Sequence, residues 1–269
     1  MAIKIGLDAG HGLNTPGKQT PDGIKEWTLN DKVRDKVVSI LGAYDCEIIH
    51  TDYDEGNNDE SLASRIARYR NAGVDAFVSI HHNAFTGTWN NATGVEVFTD
   101  INATAKDKQL ANAIYSRLPK YTGLKGRGLK AENWYVINQN SIPAVLVEGG
   151  FMDSNIDHKV ITSDAGQTAY AKAVAEGLIE FLGLKKKATT KPATTTNTSS
   201  FKPYLVRVKV SALNIRKTPK WDNSDVVGVI RDKGTYTIVG ETTLGDTKFG
   251  KLKSGAGWIS IESAYVTKV

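Results

Sequence analysis

Apolar positions along the chain keep two different periods, and the change between them divides it. In the first part, short apolar runs alternate with segments of helical spacing. AIKIGLD (residues 2–8) is an apolar run stopped by a Gly-rich loop, the pattern of a buried strand. Residues 26–41 place Trp27, Leu29, Val33, Val37 and Ile40 at helical spacing. Further strands are predicted at 47–51, 75–81, 94–99 and 143–151, and further helices at 60–72, 103–118 and 164–182. Strands separated by helices imply an α/β domain: a mostly parallel sheet with helices on both faces.

From residue 204 onward no helical period remains. YLVRVKV, ALNIRK, DVVGVIR, TYTIVGET, KFGKLK and GWISI are short β-rich runs broken by Gly, Asp and Ser, which predicts a small all-β barrel. Between the two patterns, residues 185–203 (KKKATTKPATTTNTSSFKP) are rich in Lys, Thr, Ser and Pro, contain no acid, and offer Phe201 as their one large apolar side chain. Such a segment reads as a solvated linker, and a structureless run this long is rare inside one compact domain. The expected organisation is a domain over 1–184, a linker over 185–203 and a second domain over 204–269.

The charge balance separates the same parts. The chain of 269 residues carries a net charge of +5, but residues 1–184 hold 18 basic against 23 acidic side chains, net −5, and residues 185–269 hold 16 against 6, net +10. A basic half attracts nucleic acid, a membrane surface or an anionic polymer, and charge alone does not choose among them. No run approaches the ~18 apolar residues of a membrane span, so no membrane insertion is expected. MAIKIGLDAGHG is too short an apolar start for a signal peptide, so synthesis in the cytoplasm without an export signal is expected. Cys46 is the single cysteine, so any metal must rest on His and carboxylate rather than on a thiolate cluster.

Candidate chemistry collects at strand ends. His11 follows the first strand, His81 ends the third, and Glu148 ends the apolar strand AVLVEGG. In open parallel sheets the functional crevice forms outside the carboxyl ends of the strands, which aims these three side chains at one rim. Glu26 opens the first helix directly after the loop that leaves His11, where capping is an alternative role for a carboxylate. Two His and one Glu around an open position are a common holder for catalytic zinc, and a further carboxylate can move the proton of an attacking water. There is no HExxH motif. Adjacent strand residues point to opposite faces, so only one of His81 and His82 faces the rim, and spacing does not say which. His50 and His158 lack comparable partners and are expected at the surface or in packing.

DAGHG (8–12), Glu26 followed four residues later by Asn30, SIHHN (79–83) and VLVEGGFMDSN (145–155) resemble the zinc-dependent N-acetylmuramoyl-L-alanine amidases of the amidase type 3 branch. SLASRIARYRNAGVDAFVSIH (61–81) and KGRGLKAENWYVI (125–137) extend the likeness to about residues 3–182. The resemblance implies one Zn2+ ion held by His11, Glu26 and His81, with Glu148 as catalytic acid/base. It also selects His81 over His82. The implied substrate is peptidoglycan, cut at the amide between the lactyl group of muramic acid and L-alanine. Asn30 and Asn83 then either support the site or serve loop capping and helix packing. Asn83 is one candidate substrate contact, and Trp89, in the polar loop TGTWNNATG, is another. Trp134 and Tyr135 are further sugar or peptide platforms, whereas Trp27 is expected in the core. Two departures from the family pattern, the loop 13–25 and Thr51-Asp52 in place of Thr-Arg, bear on substrate preference.

Residues 204–269 resemble the bacterial SH3-like domains attached to cell-wall hydrolases in ALNIRKTP (212–219), VVGVIRDKG (226–234) and FGKLKSGAGWISI (249–261), with Phe249 where those domains often have Trp. This implies wall anchoring, and 11 basic against 6 acidic residues suit anionic wall polymers. Most of Tyr204, Trp221, Tyr236, Phe249, Trp258 and Tyr265 are expected in the core. Trp221, in the polar turn PKWDNSD, is the candidate ligand contact. Three functions therefore compete: a wall amidase with an anchoring module, a wall-binding protein with an inactive catalytic domain, and a nucleic-acid-binding protein. Retention of all four site residues argues against the second, and the absence of a recognised nucleic-acid motif against the third. Without an export signal, the amidase is either a phage endolysin released through a lesion made by another protein or a bacterial lysin acting as a mother cell opens. The two-part build resembles lysins of phages that infect Gram-positive bacteria.

Overall fold

The apolar run at the N-terminus forms the strand β1 (Ile3–Ala9) in a computed structural model that describes residues 2–52, 59–138, 141–187, 201–220, 225–244 and 247–269. The chain divides into two compact units, residues 1–188 and 189–269. In the first, β1 leads to α1 (Glu26–Leu41), β2 (Cys46–His50), α2 (Leu62–Ala72) and β3 (Ala76–Asn83). Next come β4 (Val95–Thr99), α3 (Ala105–Tyr115), α4 (Leu118–Thr122) and β5 (Gly126–Ala131). β6 (Ala144–Phe151), α5 (His158–Ile161) and α6 (Asp164–Leu182) complete the unit.

The strands order as β2-β1-β3-β6-β4-β5. All pairings are parallel except β4 with β6, so the sheet is mixed. The connection from β3 to β4 contains no helix, and without a helical crossover β4 runs back against β6. The predicted helix over 103–118 ends at Tyr115, and a short α4 restarts with Pro119 in its first turn, where a missing N–H costs nothing. β5 is a further strand that the apolar pattern does not reveal. Its residues are almost all exposed, and only pairing with β4 defines it.

One sheet face is closed by helices. Leu7, Ala9, Val78, Ile80, Val145, Val147, Val95 and Val97 are buried there, with Val33, Val37, Leu110, Ile114, Val174 and Leu178 from α1, α3 and α6 in the same cluster. On the opposite face, Ile66 and Tyr69 of α2 cover Phe77, Phe98, Leu146 and Val136. Beyond α2, at the carboxyl ends of β1, β3 and β6, that face carries polar side chains. Residues 185–187, read from sequence as the start of a linker, belong to the first unit: Asp45 N donates to Lys185 O (2.9 Å) and Lys187 N to Ala43 O (2.9 Å).

The second unit is one antiparallel sheet of β7 (Tyr204–Val208), β8 (Leu213–Arg216), β9 (Val226–Ile230), β10 (Thr235–Leu244), β11 (Thr247–Leu252), β12 (Trp258–Ser260) and β13 (Val266–Lys268). Val206, Val208, Leu213, Ile230, Ile238, Leu252, Ile259 and Val266 form its core. Of the aromatic residues expected inside, Phe249 is fully buried, whereas Tyr204, Tyr236, Trp258 and Tyr265 are half-buried. A unit this small has too little interior to enclose them all. Trp221 lies outside the described residues. No helix among the described residues is long and apolar enough to cross a membrane.

Candidate active site

The loop after β1 places the first imidazole. His11 adopts φ 66°, a conformation that non-Gly residues rarely take and that the surroundings must hold. Arg65 holds it: its guanidinium donates to Ala9 O (2.9 Å) and His11 O (2.7 Å) and pairs with Asp8 Oδ1 (2.6 Å). Asn30 Nδ2 also donates to the loop, at Gly10 O (3.1 Å). Gly10 itself has no room for a side chain, because a Cβ there would stand 2.0 Å from Cε1 of the His81 ring.

Glu26 does not act as a helix cap. Its buried carboxylate turns toward the sheet, with Oε2 3.3 Å from His11 Nε2 and Oε1 3.1 Å from His81 Nδ1. His82 N donates to Oε1 (3.2 Å), while Oε2 has no hydrogen-bond partner among the described residues. The rings of His11 and His81 meet edge to face at 4.9 Å, and one ligand atom from each of His11, Glu26 and His81 lies within 4.8 Å of the others. Metal–ligand bonds of about 2.0–2.2 Å put two ligands of a tetrahedral ion roughly 3.3–3.6 Å apart, close to the 3.3 and 3.1 Å that separate Glu26 from His11 and His81. A buried carboxylate whose two oxygens each face one imidazole, with Oε2 otherwise without a partner among the described residues, is therefore a donor set that suits a divalent cation.

Protonation states agree with that use. Burial alone would raise Glu26, but His81 and His11 outweigh it and hold the carboxyl at about 2. Burial drives His11 down to about 4 against the pull of Glu26, so its imidazole is neutral at pH 7. Ser79 Oγ donates to Asp8 Oδ2 (2.6 Å), and with its single hydrogen so engaged it accepts from His81 Nε2 (3.1 Å). With a cation in place of the Nδ1 proton, that relay would keep the His81 proton on Nε2 and leave Nδ1 as the ligand atom beside Glu26.

Of the two adjacent histidines, His81 stands in this cluster. His82 is buried on the other face, with Nδ1 2.7 Å from Asn30 Oδ1 and its ring edge against Tyr170. Asn30 thereby touches His82, Gly10 and Glu26 at once. Glu148 is in register beside His81, nearly buried, and its Oε2 has no partner among the described residues. Burial, then the charges of Glu26 and Glu96, push its carboxyl well above the usual carboxylate range.

A cavity of about 520 Å³ opens beside His11 and His81, walled by Asp8, Arg65, Trp134 and Tyr135 among others. Trp89 is exposed but is not in that wall. It rests on His158, rings 5.0 Å apart, and His158 in turn pairs with Asp22 (3.2 Å). Asn83 Nδ2 donates to Glu96 Oε1 (2.6 Å), and its Oδ1 accepts from Ala84 N. Trp27 is buried. Asp52, one of the departures from the family pattern, is also buried: it accepts from Arg34 Nη1 (2.5 Å), Ala9 N (3.3 Å) and Trp27 Nε1 (3.4 Å). It ties the end of β1 to α1, a packing role rather than a substrate contact.

Sequence reasoning passed over several residues that build this site. Asp8 lies inside the DAGHG motif, and Arg65 shares the apolar stripe of α2 with Ile66 and Tyr69, a position where a charged side chain signals a buried partner. Glu96 and its cationic neighbours on β5 gave no signal, because β5 itself has no apolar pattern.

The fold and site together define a class: an α/β domain in which His11 and His81 at strand ends and Glu26 at the start of α1 form a cluster that could hold a cation, with the carboxylate of Glu148 on the strand next to His81. Within that class, the chain belongs to the N-acetylmuramoyl-L-alanine amidase family, which it matches over residues 5–180. It is 34% identical to the endolysin of Bacillus phage SPP1 over 99% of this chain and 98% of that protein. It is 30% identical to the sporulation-specific N-acetylmuramoyl-L-alanine amidase of Bacillus subtilis (strain 168), over 68% of this chain and 70% of that one. Among solved structures, the catalytic domain of the amidase CwlV from Bacillus (Paenibacillus) polymyxa var. colistinus superposes with TM-score 0.62 and 28% identity, covering 68% of this chain and 99% of that one. The N-acetylmuramoyl-L-alanine amidase of Clostridium difficile 630 gives TM-score 0.63 and 28% identity, over 68% and 97%.

Proposed function

We infer that this chain is a peptidoglycan hydrolase of the phage-endolysin kind, cleaving the amide between N-acetylmuramic acid and L-alanine. The family match over residues 5–180 carries this reading. The mother-cell alternative finds support in the sporulation amidase, but that likeness covers 68% of the chain against 99% for the phage endolysin. An endolysin acts on the wall after release from the cytoplasm of its host.

In this reading His11, Glu26 and His81 hold one zinc ion. Bound there, zinc supplies Lewis acidity to a water and to the scissile carbonyl. The remaining work falls to side chains of the protein. Glu148 takes a proton from the attacking water and returns it to the alanine nitrogen as the C–N bond breaks, giving a free lactyl carboxyl group and a free amine. Its raised pKa suits a group that must accept and donate near neutral pH. Arg65, Asp8 and Ser79 fix the His11 loop and the His81 tautomer. Asn30 orients Glu26.

The second unit is read as an SH3-like anchor spanning residues 204–269, after a linker that ends at 203. Its net charge of +5 and a hollow of about 430 Å³ walled by Lys209, Lys248 and Lys268 support contact with anionic wall polymers. Trp89, Asn83 and Trp221 remain the proposed substrate or wall contacts.

Metal-free protein titrated with zinc is expected to bind one equivalent and to regain lysis of Gram-positive walls. Lysis that proceeds undiminished in chelator, with no zinc bound, overturns the metal assignment.

A further inference from the structure

A row of ionisable side chains crosses the open sheet face at one level. His81 on β3 is in register with Glu148 on β6, and Glu148 with Glu96 on β4. Next to β4 lies β5, which brings two cations to the end of the row. Arg127 Nε and Lys130 Nζ stand 3.1 and 2.8 Å from the same oxygen, Glu96 Oε2, while Asn83 takes Oε1. Glu96 is buried, yet the side chains of Arg127 and Lys130 are 33% and 39% exposed. One carboxylate against two cations leaves this group with a surplus positive charge beside Glu148.

The two cations are also held in place. The Arg127 guanidinium lies 4.9 Å over the Phe151 ring. Its stem crosses Gly94, where φ is +119° and a Cβ would fall 2.8 Å from Cγ. Among the described residues, Nη1 and Nη2 of Arg127 have no partner. The result is a preorganised, donor-only fork and an ammonium that reach solvent together, an arrangement that fits a carboxylate.

This deepens the amidase reading and rests on it. The glycan side of the scissile amide carries no charge, so an anion at this position belongs to the peptide side. In peptidoglycan the residue after L-alanine is linked through its side-chain carboxyl, which leaves an α-carboxyl group that is free in some walls and amidated in others. That group lies within about 7 Å of the scissile nitrogen, two residues of extended chain. Neighbouring strands are about 4.8 Å apart, so β5 lies roughly 10 Å from β6, and both cationic side chains lean back over β4 to reach Glu96. We propose that Arg127 and Lys130 form a subsite for the free α-carboxylate of the second stem residue, so that the peptide leaves the reacting centre toward the β4–β5 edge and unamidated walls are the preferred substrate.

The test uses the full chain with zinc and two N-acetylmuramoyl tripeptides, identical except that the α-group of the second residue is a carboxylate in one and a carboxamide in the other. The wild type is expected to favour the carboxylate by about tenfold or more in kcat/KM, the size of one hydrogen bond to a charged group. In Lys130→Gln and in Arg127→Gln the ratio between the two substrates should collapse toward one. Lys130→Gln keeps most of the stem and a donor to Glu96, so it guards against loss of the β5 edge in the arginine variant. A wild-type ratio near one, or a ratio that persists in both variants, overturns the proposal. Failure of the wild type to cut either tripeptide would instead remove the amidase reading on which it depends. Binding of the released carboxylate tripeptide, weakened by added salt in the wild type and lost in Lys130→Gln, gives a readout independent of turnover.

Discussion

Replacing Arg65 with Met tests whether the site is held by one buried ion pair. The guanidinium is 2% exposed and Asp8 is 1% exposed. The substitution leaves Asp8 with the hydroxyls of Ser79 and Thr51 as its side-chain donors among the described residues, and strips a donor from Ala9 O, His11 O and Glu60 O. Removing one partner of a buried pair costs about 3–5 kcal/mol. In a unit of this size each kcal/mol moves Tm by about 2–4 °C, so a fall on the order of 10 °C is expected at pH 7 by calorimetry. The pH dependence is fixed in sign. Burial would raise Asp8, but Arg65 and Ser79 outweigh it and hold the carboxyl below its ordinary value. The stability it confers is therefore complete above the unfolded value of about 3.9 and is lost as pH falls through the lower folded value. Without Arg65 the buried carboxyl gains by protonation, so the Tm gap between the two proteins should narrow as pH drops from 5 toward about 3. A gap under about 3 °C at pH 7, or one that ignores pH, refutes the reasoning.

Other substitutions separate the roles assigned around the centre. Glu148→Gln should retain zinc and wall binding while hydrolysis falls by about 10²–10⁴-fold, and an undiminished rate would remove Glu148 from acid/base duty. His81→Ala should lose the metal on dialysis, whereas His82→Ala should keep it and lose only stability; zinc retained in the former would show that the other histidine is the ligand. Gly10→Ala forces a Cβ to within 2.0–2.5 Å of three His81 ring atoms. The displaced imidazole should lower zinc affinity by about 100-fold, measured by chelator competition, and an unchanged affinity would mean that the ring is not seated as described.

What the sequence could disclose follows the physics of each element. Buried strands and amphipathic helices declare themselves, so β1, α1, β6 and α6 lie where the apolar pattern puts them. The exposed edge strand β5 has no such pattern: GRGLKA owes its extended form to pairing with β4, a long-range contact that no local period encodes. Glu26 was ambiguous for a related reason. A carboxylate at the start of a helix suits the helix dipole equally well, and only the tertiary fold turns it toward His11 and His81. At the end of the first unit Lys185–Lys187 have linker-like side chains, whereas their backbone groups pair with residues 43–45, a contact that composition does not encode. In the β unit, counting aromatic residues overestimated the core, since half-burial at the rim is the common fate of a tyrosine in a small sheet.

The central claim, hydrolysis of one particular amide by a zinc-loaded site, is met most directly by mass spectrometry of the fragments released from purified Gram-positive walls. The account predicts peptides with a new free amine on L-alanine, absent after chelation and restored by zinc. Fragments with muramoyl–alanine links intact and other bonds cut would contradict it, as would the absence of fragments from a zinc-loaded protein bound to the wall.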